Sequence, residues 1–425
     1  MAAEHPKPPR LADADWLKRP QTQAVFRALA AGGYPARAVG GVVRNALLGV
    51  PVADVDIATP APPEEVMRLA GAAGLKAIPT GIQHGTVTVI SDHMPFEVTT
   101  LREDVETFGR HARVAFTDDW AADARRRDFT INALYCDADG NIYDPLGGYP
   151  DVVARRVRFI GDPDERIRED YLRILRFFRL TAVYSAGPPD PEGLSAAVRR
   201  RDGLTRLSGE RIRQELMRLL AAPRAAELVE AMRDYGLLTV FLPAAPRPRF
   251  LQRLADIERT QAVPPNSALR LAALAVEAFE DAARLRERLR LSTAEFDTLV
   301  LASEAPLGGL SPRSTLREAK VCLYRRGTRA MREQLLINWA RLDIPPDDPN
   351  ATALFALPEH WRPPGFPLSG ADVLAAGVQP GPRVGEILGE LERRWIEANF
   401  AWDRETLRAE LDQLISTTNR DTGRT

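Results

Sequence analysis

Two aspartates separated by a single residue, Asp54 and Asp56, are the first candidates for chemistry in the sequence. They open an apolar stretch that predicts a strand over Asp54–Ala58, and side chains alternate along a strand, so both carboxylates project from one face. Two carboxylates on one face suit a pair of Mg²⁺ ions, which can activate a hydroxyl nucleophile and steady a pyrophosphate leaving group. An isolated pair of this kind is more often a solvated strand end.

The string GGVVRNALLG, Gly40–Gly49, comes shortly before this pair. A predicted strand, Ala36–Val39, leads into Gly40 and Gly41, and a short helix follows. Glycines allow the backbone to approach a polyanion closely, and the start of the next helix presents N–H groups to it. Arg44 can add a bidentate contact to phosphate. With the two aspartates, this pattern predicts a triphosphate site.

A second charged string, RRDFTINAL, spans Arg126–Leu134. Neighbouring arginines beside an aspartate suit a triphosphate next to a ribose, because arginine holds phosphate and the carboxylate accepts from hydroxyl groups. The same composition also occurs at an ordinary charged helix end before a buried strand.

A third string, EDYLRILRFFR, spans Glu169–Arg179 in a predicted helix, Arg166–Tyr184. Asp170 and Arg173 are three residues apart and face the same way on that helix. A carboxylate can accept from the exocyclic amine of cytosine or adenine while a guanidinium donates to the adjacent ring nitrogen. Uracil and guanine present the reverse order, so the pair would admit CTP and ATP and reject UTP and GTP. An intrahelical ion pair on a solvated face is the alternative.

In this order, the three strings resemble the signatures of the DNA polymerase β-like nucleotidyltransferases, specifically the class II tRNA nucleotidyltransferases and bacterial poly(A) polymerases. The family usually has Asp where this chain has Asn45, a position that is not a metal ligand in the family. The resemblance implies that Arg127 contacts phosphate, that Asp128 reads the ribose 2′-hydroxyl and that Asn132 supports the site.

The resemblance also implies that Asp170 and Arg173 act as a protein template, with Arg176 and Arg179 facing phosphate or RNA. Three further strings match the family: DPLGG at Asp144–Gly148 as a hinge, SGERIRQEL at Ser208–Leu216 as helix support, and Ser369–Leu388 as a tRNA-docking tail element. The candidate site therefore has Asp54 and Asp56 as catalytic metal ligands, and its nucleotide-binding residues are Gly40, Gly41, Arg44, Arg127, Asp128, Asn132, Asp170, Arg173, Arg176 and Arg179.

The pattern of strands and helices predicts a small α/β head followed by helices, and the resemblance implies an α+β fold in which a polymerase-β-like head, a mixed sheet with helices, precedes an all-helical neck, body and tail. We expect the head over residues 1–150, the neck over 151–220, the body over 221–345 and the tail over 346–425. Glu97, on the predicted strand Pro95–Leu101, is a candidate third carboxylate near the metals. The polar stretch Arg102–Asp119 lacks periodicity, which predicts a long mobile loop suited to the change from C to A addition.

The 425 residues carry a net charge of −1 and two cysteines, Cys136 and Cys322, without a CxxC spacing. Charge is uneven, however, since residues 151–218 contain 15 arginines against 11 acidic residues. We expect a cytoplasmic protein without membrane segments or an obligate protein partner, with tRNA, CTP and ATP as partners and Mg²⁺ as cofactor. The expected function is addition of C, C and A to the 3′ end of tRNA.

Three alternatives remain open. They are a poly(A) polymerase, an enzyme that adds only the terminal A, and an inactive tRNA-binding relative. Poly(A) polymerases of this superfamily typically carry a basic C-terminal extension, whereas residues 390–425 are not basic. The intact Asp54, Asp56, Asp128, Asp170 and Arg173 argue against the inactive relative.

Overall fold

The computed structural model describes residues 7–108, 111–304 and 309–422. The chain divides into two compact units, the first formed by Met1–Pro248 with Arg284–Ser292 and the second by Arg249–Ala283 with Thr293–Thr425. The finer division into head, neck, body and tail stays a prediction. Within the described residues, no helix combines the length and apolar character needed to cross a bilayer.

The first unit begins with an α/β region, whose described residues form nine strands and five helices. Its elements in chain order are α1 Asp15–Lys18, α2 Pro20–Ala31, β1 Arg37–Val39, α3 Gly41–Leu48, β2 Asp56–Thr59, α4 Pro63–Ala72, β3 Lys76–Gly81, β4 Thr86–Ser91, β5 Met94–Thr100, β6 Arg102–Phe108, β7 His111–Phe116, α5 Trp120–Arg125, β8 Tyr135–Cys136 and β9 Ile142–Tyr143. Seven strands form a mixed sheet in the order β3-β4-β5-β2-β1-β8-β9, with β2 and β5 parallel and the other neighbours antiparallel. The predicted mixed-sheet head is confirmed.

The stretch Arg102–Asp119, predicted to be a mobile loop, is mostly a two-stranded antiparallel ribbon. Strands β6 and β7 pair with each other and not with the main sheet, and Asp119 caps α5 by accepting from the Ala121 N–H at 2.8 Å. A ribbon that does not join the main sheet need not bury one apolar face. Its sequence therefore lacks the alternation of apolar and polar residues that would predict a strand. Residues 109–110 of the stretch lie outside the described residues, and its role in nucleotide switching stays a prediction.

Further helices of the first unit follow the α/β region. They are α6 Tyr149–Val153, α7 Pro163–Glu169, α8 Leu172–Tyr184, α9 Pro191–Arg199, α10 Gly209–Leu220, α11 Ala225–Asp234 and α12 Leu238–Phe241. The aromatic ring of Phe177 in α8 stacks at 5.5 Å on Phe159 and at 6.3 Å on Phe129. Because Phe129 follows Asp128 directly, this packing fixes the RRDFTINAL segment against α8.

The later part of the chain is entirely helical in its described residues, as predicted. Its helices are α13 Pro248–Thr260, α14 Ser267–Ala275, α15 Phe279–Leu289, α16 Thr293–Glu304, α17 Leu316–Arg341, α18 Pro349–His360, α19 Gly370–Ala375, α20 Pro382–Glu397 and α21 Arg404–Thr422. Helix α17 is kinked at Gly327, where φ is 77°. A core of buried residues that includes Val373, Leu391 and Trp395 joins α19, α20 and α21, so the predicted tail element belongs to a packed helical cluster.

The DPLGG turn is a close junction inside the first unit. The Asp144 carboxylate accepts from the N–H groups of Gly148 and Tyr149, both at 2.8 Å. A Cβ atom on Gly148 would lie 2.4 Å from the Thr130 carbonyl oxygen. Only glycine therefore permits this approach, which holds the turn against the segment that carries Asp128 and Asn132.

We predict that Gly148→Ala destabilises the protein by about 1–3 kcal/mol, because the added methyl group overpacks a backbone contact. Gly71→Ala in α4 is the control, since its Cβ would meet no atom within 4 Å; we expect a gain of about 0.4–1 kcal/mol from lower unfolded-state entropy. Urea unfolding measures both changes. Equal stability of the two variants would contradict the packing argument.

Candidate active site

The glycine pair lies at the start of α3, beside two guanidinium groups. Gly40 has φ 78° and ψ −122°, a left-handed conformation that L side chains rarely adopt. A Cβ on Gly41 would lie 3.4 Å from Arg44 Nη2, and a Cβ on Gly40 would lie 3.9 Å from Arg127 Nη1. Bare backbone and two cations therefore meet at one place, which can accept a phosphate chain.

The two candidate metal ligands follow at the beginning of β2. The strand begins at Asp56, so Asp54 lies in the segment before it and the predicted strand Asp54–Ala58 is two residues too long at this end. The register explains the boundary, because pairing with β5 starts at Asp56 opposite Glu97. Exposure still alternates, with Asp54 and Asp56 exposed and Val55 buried between them.

Negative charge accumulates at this edge of the sheet. The pKa of Asp56 is raised to about 6, mainly by burial and also by the negative charges of Glu97 and Asp54, while the charge of Arg127 opposes the increase. The Asp56 side chain is nevertheless exposed to solvent on the open side of the site, so the carboxylates lie at the edge of the pocket and not in an enclosed interior. A divalent cation would relieve the repulsion, so the oxygen-only donors Asp54 and Asp56 fit such an ion.

Glu97 is the Cα partner of Asp56 across the parallel pair, which places it beside the candidate ligands. Across residues 7–108, 111–304 and 309–422, however, no three acidic, histidine or cysteine side chains are grouped closely enough to hold a metal ion. The two-aspartate site therefore needs oxygen atoms from substrate or water to complete a coordination shell. Glu97 as a third ligand stays a prediction.

The RRDFTINAL string delivers two cations, Arg126 and Arg127, and one anion, Asp128, to the pocket. Arg127 Nη2 donates to Asp123 at 2.9 Å and its Nε donates to the Tyr135 hydroxyl at 3.3 Å. Asp128 accepts from the Asn132 amide at 3.0 Å and from Arg176 Nε at 2.7 Å. Although burial opposes it, the Arg176 charge and the Asn132 bond hold the pKa of Asp128 at about 2. Asp128 is thus ionised and able to accept from a hydroxyl group.

Asp170 and Arg173 both line the same pocket, but they are not on one helix. The predicted helix Arg166–Tyr184 breaks at Asp170, which has φ −152° and ψ 108° between α7 and α8. Asp170 accepts from the Leu172 N–H at 3.1 Å, so its side chain helps begin α8. The predicted continuous helix is wrong at this point, because the local bond competes with helical pairing, although both side chains still reach the same pocket.

Separate partners hold the two side chains of the pair. Asp170 accepts from Arg211 Nη2 at 2.7 Å, whereas Arg173 donates to the Arg166 carbonyl at 2.8 Å and forms an ion pair with Glu169. The structure therefore gives no support to an Asp170–Arg173 ion pair. Arg211 was assigned only to helix support, and its contact with Asp170 is visible only once α10 packs against α8.

One pocket collects the predicted residues. Apart from Asp54, every residue of the candidate site lines it, and three residues absent from the prediction also line it, namely Arg126, Leu180 and Arg218. Seven arginines face three aspartates in this lining. Such an excess of positive charge suits a triphosphate. The sequence does not single out Arg126 and Arg218, because both lie in arginine-rich stretches.

Three predicted cations are already paired with protein groups. Arg176 forms an ion pair with Asp128, and Arg179 forms one with Glu215. The third cation, Arg44, is buried, with 6% of its surface exposed. The Arg44 guanidinium lies 3.9 Å from the centre of the Tyr184 ring and donates to the Tyr184 hydroxyl at 2.7 Å. These contacts fix the three side chains at the pocket wall. Their predicted contacts with phosphate or RNA stay predictions.

A mixed-sheet head with carboxylates at the start of β2, a glycine pair and an arginine-rich pocket defines the protein as a nucleotidyltransferase. Residues 36–158 match the family described as Poly A polymerase head domain. Residues 189–246 match the family described as Probable RNA and SrmB- binding site of polymerase A.

Full-length relatives narrow the class. The chain is 31% identical to the mouse mitochondrial CCA tRNA nucleotidyltransferase 1, over 92% of this chain and 91% of the relative. It is 30% identical to the CCA-adding enzyme of Levilactobacillus brevis, over 92% of this chain and 96% of that protein. The crystal structure of the Bacillus stearothermophilus CCA-adding enzyme in complex with CTP aligns with a TM-score of 0.74 and 29% identity, covering 95% of this chain and all of that chain. The chain belongs to the CCA tRNA nucleotidyltransferase family.

Proposed function

We propose that this protein adds C, C and A to the 3′ end of tRNA, using CTP and ATP and releasing pyrophosphate. The observation that carries the proposal is the single pocket that combines Asp56 with the base-reading candidates Asp170 and Arg173. Two relatives cited above are named for CCA addition. A solved Thermotoga maritima CCA-adding enzyme complexed with tRNA has the same fold, with a TM-score of 0.67 and 20% identity.

In this proposal the triphosphate lies along Gly40 and Gly41, between Arg44 and Arg127. Arg127 is anchored by Asp123 and Tyr135, so it reaches the phosphates without losing its orientation. Asp128, ionised because its pKa is about 2, accepts from the ribose 2′-hydroxyl. Asn132 donates to the same carboxylate and keeps it facing the pocket.

We propose Mg²⁺ as the divalent cofactor, with Asp54 and Asp56 as its protein ligands. When bound, the metal lowers the pKa of the tRNA 3′-hydroxyl and neutralises charge on the departing pyrophosphate. The protein residues orient the two substrates, and the net positive pocket holds the triphosphate before reaction.

Base selection is assigned to Asp170 and Arg173. The carboxylate accepts from the exocyclic amine of cytosine or adenine, and the guanidinium donates to the ring nitrogen. A uracil or guanine would leave these groups unpaired, at about 1–3 kcal/mol per buried group. Because separate partners hold the two side chains, selection does not depend on an ion pair between them.

We predict a defined product series on tRNA that lacks its CCA end. With Mg²⁺ and CTP alone, two nucleotides are added; with CTP and ATP together, a third is added and the reaction stops. Single-nucleotide gel electrophoresis reads the products. ATP alone gives a long tail if the chain is a poly(A) polymerase, a reading kept open by the matched head family. Addition of A only to tRNA ending in CC would identify an A-adding enzyme. Absence of any product with retained tRNA binding would contradict all three enzymatic functions.

We also propose that the protein acts in the cytoplasm. Its cysteines, Cys136 and Cys322, are both free thiols, as expected in a reducing compartment. The mouse relative is named a mitochondrial protein, so fluorescence of the tagged full chain in its host distinguishes the two compartments.

A further inference from the structure

We infer that Asn45 is a positioning residue that gives Arg44 an uncharged hydrogen-bond partner, so that the charge of Arg44 is available to the triphosphate, and that also fixes the segment leading to Asp54. This inference rests on the proposed function and concerns the same pocket. Asn45 is also the position at which the chain departs from the usual family residue, an aspartate.

The Asn45 side chain joins two parts of the site. Its Oδ1 accepts from Arg44 Nη2 at 2.9 Å and from Arg44 Nε at 3.2 Å. Its Nδ2 donates to the carbonyl oxygen of Pro51 at 3.0 Å. Pro51 lies three residues before Asp54, so one amide connects α3 to the segment that carries the first candidate metal ligand. An ionised aspartate could accept from Arg44 but has no donor for the Pro51 carbonyl.

The hydrogen-bond partners of Arg44 are uncharged. Besides Asn45, its guanidinium donates to the side-chain oxygen of Asn132 and to the hydroxyl of Tyr184. The residue is 6% exposed, and a buried cation without a bonded carboxylate gains strongly from an incoming anion. Such an anion would lie in the pocket beside Gly41. A Cβ atom built on Gly41 would be 3.4 Å from Arg44 Nη2, so this position is within reach of the guanidinium.

An aspartate at position 45 would change both properties with almost no change in shape. It would keep the acceptor for Arg44, form an ion pair with it and reduce the field that the triphosphate meets. It would also place a carboxylate against the Pro51 carbonyl and lose the donor bond there. The first effect scales with the charge of the ligand, whereas the second acts on any ligand.

Equilibrium calorimetry with CTP, CMP and cytidine separates these effects, using the full chain with Mg²⁺ and no tRNA. We expect Asn45→Asp to weaken CTP binding about tenfold or more, to weaken CMP less, and to weaken cytidine only by the small factor that loss of the Pro51 bond produces. Asn45→Ala, which adds no charge, is the control and should weaken all three ligands by a similar, smaller factor.

Two outcomes would overturn the inference: CTP binding in a folded Asn45→Asp variant as tight as in the wild type, or equal loss for CTP and cytidine. If thermal melting finds Asn45→Asp unfolded, Arg44→Gln tests the charge argument: loss of the cation should reduce CTP binding more than cytidine binding, and an equal loss would contradict it. The product assay on tRNA remains a separate test of the proposed function, since weak CTP binding still permits CCA addition at saturating CTP.

Discussion

Asp56→Asn is expected to lower the rate of nucleotide addition by roughly 1,000-fold or more. A metal ligand contributes several kcal/mol of charge stabilisation in the transition state. Each loss of about 1.4 kcal/mol lowers the rate tenfold. Single-turnover addition of C to tRNA measures the loss. Glu64→Gln, at an exposed acid in the first turn of α4, is the control and should retain full activity. Activity within tenfold of the wild type would remove Asp56 from the catalytic machinery.

The same substitution should stabilise the metal-free protein at neutral pH. Since the pKa of Asp56 is raised from 3.8 to about 6 in the folded state, the folded protein binds this proton more tightly than the unfolded chain. Ionisation therefore costs stability as the pH rises from about 4 to about 6, and the full cost remains above pH 6. Asparagine does not ionise, so the variant avoids that cost.

Thermal melting in EDTA checks this prediction. The variant should melt a few degrees above the wild type at pH 7.5, and the difference should disappear towards pH 4. Added Mg²⁺ should then raise the melting temperature of the wild type much more than that of the variant, by mass action on the folded state. A variant that melts below the wild type at pH 7.5 would contradict the electrostatic argument.

Much of the candidate site could be predicted from sequence because its strings have rigid local roles. Gly40 needs a left-handed backbone, and the alternation of Asp54, Val55 and Asp56 survives although the strand begins later than expected. In both cases neighbouring residues determine the geometry. The all-helical character of the later part of the chain was also predicted, although the bounds of its helices were not.

The features that escaped prediction depend on contacts between distant segments. The sequence around Asp170 predicts a continuous helix, because apolar residues keep a helical spacing on both sides of the break. Arg211 reaches Asp170 over 41 positions of sequence, and Arg176 reaches Asp128 over 48. Such pairs among many arginines carry no local signal, so only the packed structure reveals which acid each arginine holds.

Asp170→Asn should reduce the discrimination between CTP and UTP by about 5- to 150-fold, the equivalent of 1–3 kcal/mol for one buried group. The amide can turn a donor towards the uracil carbonyl where the carboxylate offers only acceptors. Competition between CTP and UTP on tRNA that lacks CCA, read by sequencing of the products, measures the ratio. Unchanged selectivity would transfer base reading to other residues of the pocket.

Arg211→Met extends the test from the reading residue to the residue that holds it. Without its bond to Arg211, the Asp170 carboxylate keeps only the Leu172 N–H, so it should sample other orientations and UTP incorporation should rise, although less than in Asp170→Asn. Arg213→Met, two positions further along α10, is the matched control and should preserve selectivity. A purely structural role for Arg211 would lower the melting temperature and the rates with CTP and UTP alike. A change in the ratio of the two nucleotides therefore distinguishes positioning of Asp170 from support of the helix.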